Sequence, residues 1–171
     1  MNLQPIGVVH TPFPEATGTP LQPVYSRGYE GTLEIFDPFV PGLKDLDGFD
    51  RVWLLFWCHR SCAPKMVVAP YRDTVEHGVF ASRVPARPNP IGLSCVRLLG
   101  IEENIVRITE MDILDGTPLL DIKPFVPDYD THVVERWGWL KKSETFDRSI
   151  TTADKRFEIP SETGCTTGAS S

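Results

Sequence analysis

Two stretches of the chain concentrate side chains able to do chemistry. The first runs Phe80-Ala81-Ser82-Arg83-Val84-Pro85-Ala86-Arg87-Pro88-Asn89-Pro90-Ile91-Gly92-Leu93-Ser94 and sets two arginines and an asparagine among three prolines. Proline fixes its own φ and pushes the residue before it into extended geometry, which holds Val84, Arg87 and Asn89 extended. Donors preset in this way lose little entropy on engaging a ligand, and guanidinium groups grip carboxylate or phosphate bidentately. The second stretch, residues 111–124, interleaves Asp112, Asp115 and Asp121 with aliphatic residues. In a strand-rich chain such carboxylates lie near the core, where each needs a donor or a cation. Two readings follow: ion pairs with Arg83, Arg87 and Lys123 that serve as scaffold, or a site.

The elements that position these stretches are short. Ile6 to His10 reads as a strand stopped by Thr11-Pro12-Phe13-Pro14, and Gly31 to Ile35 alternates with the period of a half-buried strand. Leu43 to Phe49 reads as a turn or a single helical turn. Val52 to Cys58 is a continuous apolar run, too short for a helix, and reads as a central strand buried on both faces. A short strand at Val79-Phe80-Ala81 precedes the proline loop. Ser94 to Ile101 and Ile105 to Met111 flank Glu102-Glu103-Asn104 as a hairpin with Asn in the turn. Asp115-Gly116 marks a turn, and Pro124 and Pro127 end the next strand. His132 to Lys142 reads as a short helix, with Val133, Val134, Trp137 and Leu140 on one side. Residues 143–171 read as an extension to a domain spanning 1–142, with Thr151 to Ser171 a Ser/Thr/Gly-rich tail, partly disordered. The expected fold class is all-β, a small β-barrel with short helical segments.

Composition narrows the function classes. The 171 residues include 16 prolines, which argues against a helical bundle. Net charge is −6, against a generally basic nucleic-acid coat. The charge is uneven, however: residues 51–107 hold eight basic and four acidic residues (+4), and each flank carries −5. No apolar run is long enough to span a membrane, no secretory leader is evident, and four cysteines do not form a disulfide framework, so a cytoplasmic protein is expected. Dinucleotide-type glycine fingerprints, phosphate loops and nucleophile elbows are absent. Cys58-His59 and Cys62 lack a second ligand pair for zinc, and the Asp45–Asp50 run lacks the glycine position and closing glutamate of a calcium loop.

Arg87-Pro88-Asn89-Pro90-Ile91-Gly92 and Asp115-Gly116-Thr117-Pro118 followed by Asp121-Ile122-Lys123-Pro124 are specific blocks. Together with Ile6-Gly7-Val8-Val9-His10-Thr11-Pro12, Gly48 to Phe56 and His59, they resemble the TsaA-like family of TrmO-type tRNA methyltransferases, over residues 4–140. The resemblance implies a homodimeric β-barrel that binds S-adenosylmethionine near the subunit contact. It also implies methylation of the exocyclic adenine nitrogen of threonylcarbamoyladenosine beside the tRNA anticodon. The additional C-terminal domain of larger bacterial members is not seen here. On this resemblance Asp115 and Asp112 are the leading proton acceptors and His59 the third. Arg83 or Arg87 would hold the methionine carboxylate or a tRNA phosphate. Gln22, Pro23, His59, Arg60, Asn89, Leu93, Ser94, Asp112, Ile113, Leu114 and Asp115 complete the expected cofactor shell, and no metal is expected. A sensor or adaptor that binds S-adenosylmethionine without turnover, and a methyltransferase with another acceptor, are the alternatives.

Overall fold

The computed structural model describes residues 2–142, 145 and 147–159. Eight strands form: β1 Gly7–His10, β2 Glu30–Ile35, β3 Arg51–Trp57, β4 Val67–Val68, β5 His77–Gly78, β6 Ile91–Glu102, β7 Ile105–Thr109 and β8 Thr117–Pro124. Six of them close a barrel in the order β1-β2-β7-β6-β3-β8, every neighbour antiparallel. β4 and β5 form a separate two-stranded sheet. Closure leaves no edge strand in the barrel and sends alternate side chains inward. Val9, Leu33, Ile35, Val52, Leu54, Val96, Val106, Ile108 and Leu119 fill the interior. The twelve-residue β6 pairs with β3 through its first half and β7 through its second. A register shift between Leu98 and Gly100 bends it around the corner.

Local differences from the sequence reading have identifiable causes. β3 alternates buried and half-buried residues, so Trp53, Leu55 and Trp57 lie on the outer wall and only one face of the strand is fully buried. Val79–Ala81 is a 3-10 turn rather than a strand, because the Val79 carbonyl is taken by Ser82 N and by the Arg87 guanidinium. The hairpin after β6 puts its left-handed residue at Glu103 (φ 55°), while the Asn104 amide donates to Ile35 O at 3.1 Å. The helix expected over His132–Lys142 is confined to α2, Trp139–Lys142; α1, of equal length, spans Pro127–Asp130. Gly138 is left-handed (φ 58°), and Val133 and Val134 are exposed, so no buried face rewards a longer helix.

A satellite core lies beside the barrel. Val68 of β4 and Val84 and Ala86 of the proline loop pack with Phe157, and Cys62 and Tyr71 close around them. Phe157 comes from the segment read as a tail. Residues 147–159 form a strap bonded along its length: Leu21 N to Thr151 O, Ala153 N to Thr19 O, Cys62 N to Phe157 O and Ile159 N to Arg60 O, all between 2.8 and 3.0 Å. Residues 160–171, the remainder of that tail, lie outside the described residues.

Candidate functional site

Three parts of the chain converge on one mouth of the barrel. They are the end of β3 with its exit turn (Phe56 to Ser61), the proline loop leading into β6 (Phe80 to Ser94), and the segment between β7 and β8 (Asp112 to Leu114). Between them lies a cavity of about 880 Å³, within the size of small-molecule sites. Its floor depends on one glycine. Gly92 faces Phe56 across the β3–β6 ladder, and a Cβ there would fall inside the Phe56 ring. The glycine of the Pro-Asn-Pro-Ile-Gly block is thus a steric requirement of the cavity floor.

Of the residues singled out from sequence, Gln22, His59, Arg60, Arg83, Arg87, Leu93, Ser94, Asp112, Ile113 and Leu114 line this cavity. Asp112 is the chemically unusual one. Burial pushes its carboxyl up to about 7, opposed by a 2.5 Å hydrogen bond from Ser94 Oγ and by the charge of Arg83. A carboxyl of this kind both releases and accepts a proton near neutrality. His59 stands nearby, its Nδ1 3.4 Å from Thr117 Oγ1; burial and the neighbouring Arg60 lower its pKa, so the imidazole is neutral at pH 7. Burial pushes the Cys58 thiol up to about 12, which leaves it a thiol.

The two arginines of the proline loop have different duties. Arg87 Nη1 donates to the carbonyls of Ser82, Val79 and Val84 at 2.9, 3.0 and 3.4 Å, and the guanidinium lies 5.8 Å from the centroid of Phe80. It is the clasp that closes the loop on itself. Arg83 is exposed and donates to Gln22 Oε1 at 2.8 Å, leaving most of its donors to a ligand. Arg60 ties three segments together: it donates to Pro14 O, pairs with Glu158, and through its own carbonyl receives Ile159 N.

Three of the expected residues lie elsewhere. Asp115 is exposed and outside the cavity lining. Its Oδ1 accepts Thr11 N at 3.0 Å and stands 3.7 Å from His10 Nδ1, so the side chain fastens the first loop at the Asp115-Gly116 turn. Asn89 is exposed at the outer end of the proline loop and does not line the cavity. Pro23 lines a neighbouring cavity instead.

The sequence reading missed a whole wall. Tyr71, Arg72, Trp139, Ala153, Phe157 and Glu158 line the part of the cavity built by loops, α2 and the strap rather than by the barrel. Trp139 stacks on His77 at 4.1 Å and donates its indole N–H to Ala81 O at 2.8 Å. Phe157 and Ile159, apolar residues in an otherwise polar stretch, were the available signal.

The chain matches a family model described as the tRNA-methyltransferase O N-terminal domain, over residues 8–131. A probable S-adenosyl-L-methionine-binding protein of Pyrococcus abyssi is 49% identical over 140 residues, covering 82% of this chain and 76% of that protein. A mouse tRNA (adenine(37)-N6)-methyltransferase is 38% identical over 135 residues, 75% of this chain and 31% of the mouse protein. The crystal structure of TrmO from Pseudomonas aeruginosa superposes with a TM-score of 0.67 at 39% identity, covering 81% of this chain. The chain spans 62% of that solved chain.

Proposed function

The chain belongs to the family of the tRNA-methyltransferase O N-terminal domain, and from that membership we propose that it is an S-adenosylmethionine-dependent methyltransferase acting on tRNA. The acceptor in this reading is the exocyclic adenine nitrogen of threonylcarbamoyladenosine beside the anticodon. The observation that carries it is the Ser94–Asp112 pair: a carboxyl held near neutrality at the wall of a cavity of cofactor size.

The residues present fit the cofactor. Phe80 and the other ring faces at the cavity suit a sulfonium, and Arg83 suits a carboxylate. S-adenosylmethionine supplies, when bound, a methyl group already activated on a cationic sulfur. The protein's tasks are then alignment, worth about 7–11 kcal/mol in well-oriented cases, and removal of one proton. Bound to a carbamoyl group, the acceptor nitrogen carries a proton and a delocalised lone pair. Asp112 would take that proton as the methyl–sulfur bond gives way to the methyl–nitrogen bond and the sulfur leaves as a neutral thioether, with Ser94 holding the carboxyl in place. His59, neutral at pH 7, is the alternative acceptor.

The test is mass spectrometry of anticodon-loop nucleosides after incubating the protein and S-adenosylmethionine with tRNA carrying threonylcarbamoyladenosine. A gain of one methyl on that nucleoside is expected. Cofactor binding with no label in any tRNA would favour a sensor, the reading suggested by the relatives named only as binding proteins. We also propose that the chain pairs with a second copy through the exposed apolar residues Phe80, Val133, Val134 and Trp137, which flank the cavity mouth and α2. Sedimentation at micromolar concentration should return the mass of two chains, and a single-chain mass would remove the pairing.

A further inference from the structure

A second cavity, of about 320 Å³, adjoins the first on the outer face of the barrel. Gln22, Arg83, Leu93 and Ser94 line both, so these four residues are the boundary between them. The second cavity lies under the 3-10 turn Pro23–Tyr25, which carries the first loop across β6. Arg51 and Trp53 reach it from β3, because they alternate with the inward-facing Val52 and Leu54. Arg27 reaches it from the loop.

Its charge is lopsided. Arg27, Arg51 and Arg83 line it, and Glu110 is the one carboxylate among the described lining residues. Glu110 is already committed to Arg51, at 2.6 Å. Arg83 spends one nitrogen on Gln22, and Arg27 makes no ion pair or hydrogen bond through its side chain among the described residues. With Arg51 paired to Glu110, Arg27 and Arg83 leave the small concavity with an excess of positive charge, and an oxyanion offsets it while accepting guanidinium N–H groups. Arg83 also acts on Asp112, so one side chain connects the basic cavity with the carboxyl of the first.

We propose that the second cavity is an oxyanion subsite for the methyl acceptor: Arg27, Arg51 and Arg83 bind a carboxylate or phosphate of the RNA while the atom to be methylated stands beside Asp112. The proposal rests on the function proposed above and adds how the acceptor is recognised. The oxyanion has two possible sources. One is the carboxylate of an amino-acid group attached to the base, a few covalent bonds from the acceptor nitrogen. The other is a neighbouring backbone phosphate. Trp53 also lines this cavity and gives a fluorescence signal for the ligand.

Binding to the full chain separates the sources without requiring turnover. The probes are the nucleoside threonylcarbamoyladenosine, its uncharged methyl ester, and an unmodified anticodon stem-loop. Each is titrated against the unsubstituted protein, Arg27→Gln and Arg27→Lys. Arg27 is exposed and lines only the second cavity, so neither substitution disturbs the core. If the source is the carboxylate, the acid binds about tenfold tighter than the ester, Arg27→Gln closes that gap and Arg27→Lys keeps part of it. If it is a phosphate, acid and ester bind alike, while Arg27→Gln weakens the stem-loop and lowers the slope of log K against log salt by about one. The proposal is overturned if acid and ester bind alike and the stem-loop is indifferent to Arg27. It is equally overturned if none of the three probes binds, or if Arg27→Gln weakens only S-adenosylmethionine. Methyl transfer without an Arg27 effect on any probe would remove the subsite and keep the function. An Arg27-dependent gap without transfer would do the reverse.

Discussion

The two walls of the main cavity are built by different means. The barrel wall carries Phe56, Ser94 and Thr117 on strands whose ladders run right around the closed sheet. The other wall carries Tyr71, Trp139, Phe157 and Glu158 on loops, a one-turn helix and the strap, held by isolated backbone bonds and the satellite core. Side chains on the barrel wall can move only if the whole sheet yields. Those on the strap wall can open locally, since few buried contacts hold them. Proton transfer needs a fixed carboxyl, and Asp112 is braced by Ser94 of the barrel. The strap wall, by contrast, is where the cavity can widen.

The largest effect should come from the barrel wall. Asp112→Asn removes the proposed proton acceptor, and transfer at pH 8 should fall by about 10²–10⁴-fold. Its stability should move the other way. Burial raises the Asp112 carboxyl to about 7 from its ordinary 3.8, so the folded state holds a proton that the unfolded chain has lost between those values. Stability contributed at this position therefore falls as pH rises from about 4 to about 7 and stays low above it. Asparagine removes that slope, so urea titrations should find the variant less sensitive to pH across this window and no weaker at pH 8. Asp115→Asn, outside the cavity, should keep most of the transfer. Equal losses in the two variants would break the distinction between braced and unbraced carboxyls.

Next come two truncations, one in each core. Leu54→Ala opens the barrel interior and should cost about 2–5 kcal/mol, lost from every strand together in hydrogen exchange. Phe157→Ala removes a buried ring from the satellite core and should cost no more in global unfolding. Its signature is local: amides of residues 151–159 should exchange faster while β3 and β6 keep their protection, and S-adenosylmethionine should bind more weakly. Uniform loss of protection in Phe157→Ala would show that the two walls are one cooperative unit. Gly92→Ala tests the floor that joins them. The added methyl meets Phe56, and overpacking of this kind costs about 1–3 kcal/mol, read as a lower melting temperature with a smaller cofactor site.

The same contrast explains what the sequence disclosed. Period-two alternation located β2, because a barrel rewards every second side chain, and turn and proline signals bounded β1, β6 and β7. The Arg-Pro-Asn-Pro-Ile-Gly and Asp-Gly-Thr-Pro blocks marked Arg83, Ser94 and Asp112 as neighbours of one site. β3 misled because its outer face is also apolar: Trp53 packs on Phe125, 5.9 Å between ring centroids, so the run shows no alternation. Asp115 and Arg87 could not be told apart from sequence for another reason: Arg87 lines the cavity and Asp115 does not. A conformationally demanding loop and a ligand site both call for Arg, Asp and Gly, and only coordinates separate a clasp on backbone carbonyls from a free guanidinium. The strap was illegible because its structure is borrowed. Its bonds go to residues 18–21 and 60–62, far away in the chain, and its composition alone is that of a tail.

The smallest effect should come from the charges on the strap's surface. Lys155 stands 3.6 Å from Glu15 with both side chains more than half exposed, a geometry that contributes about 0–1 kcal/mol and is screened by salt. Lys155→Gln should leave the melting temperature, exchange at residues 151–159 and cofactor affinity within error. Glu158→Gln is the instructive partner. Its carboxylate is almost wholly buried against the Arg60 guanidinium, so removing the charge leaves a half-buried cation without its partner. The strap should loosen in Glu158→Gln and not in Lys155→Gln. If Lys155→Gln loosens it as much, surface charge rather than Phe157 and the Arg60 junction holds the second wall, and salt alone should then open the cavity.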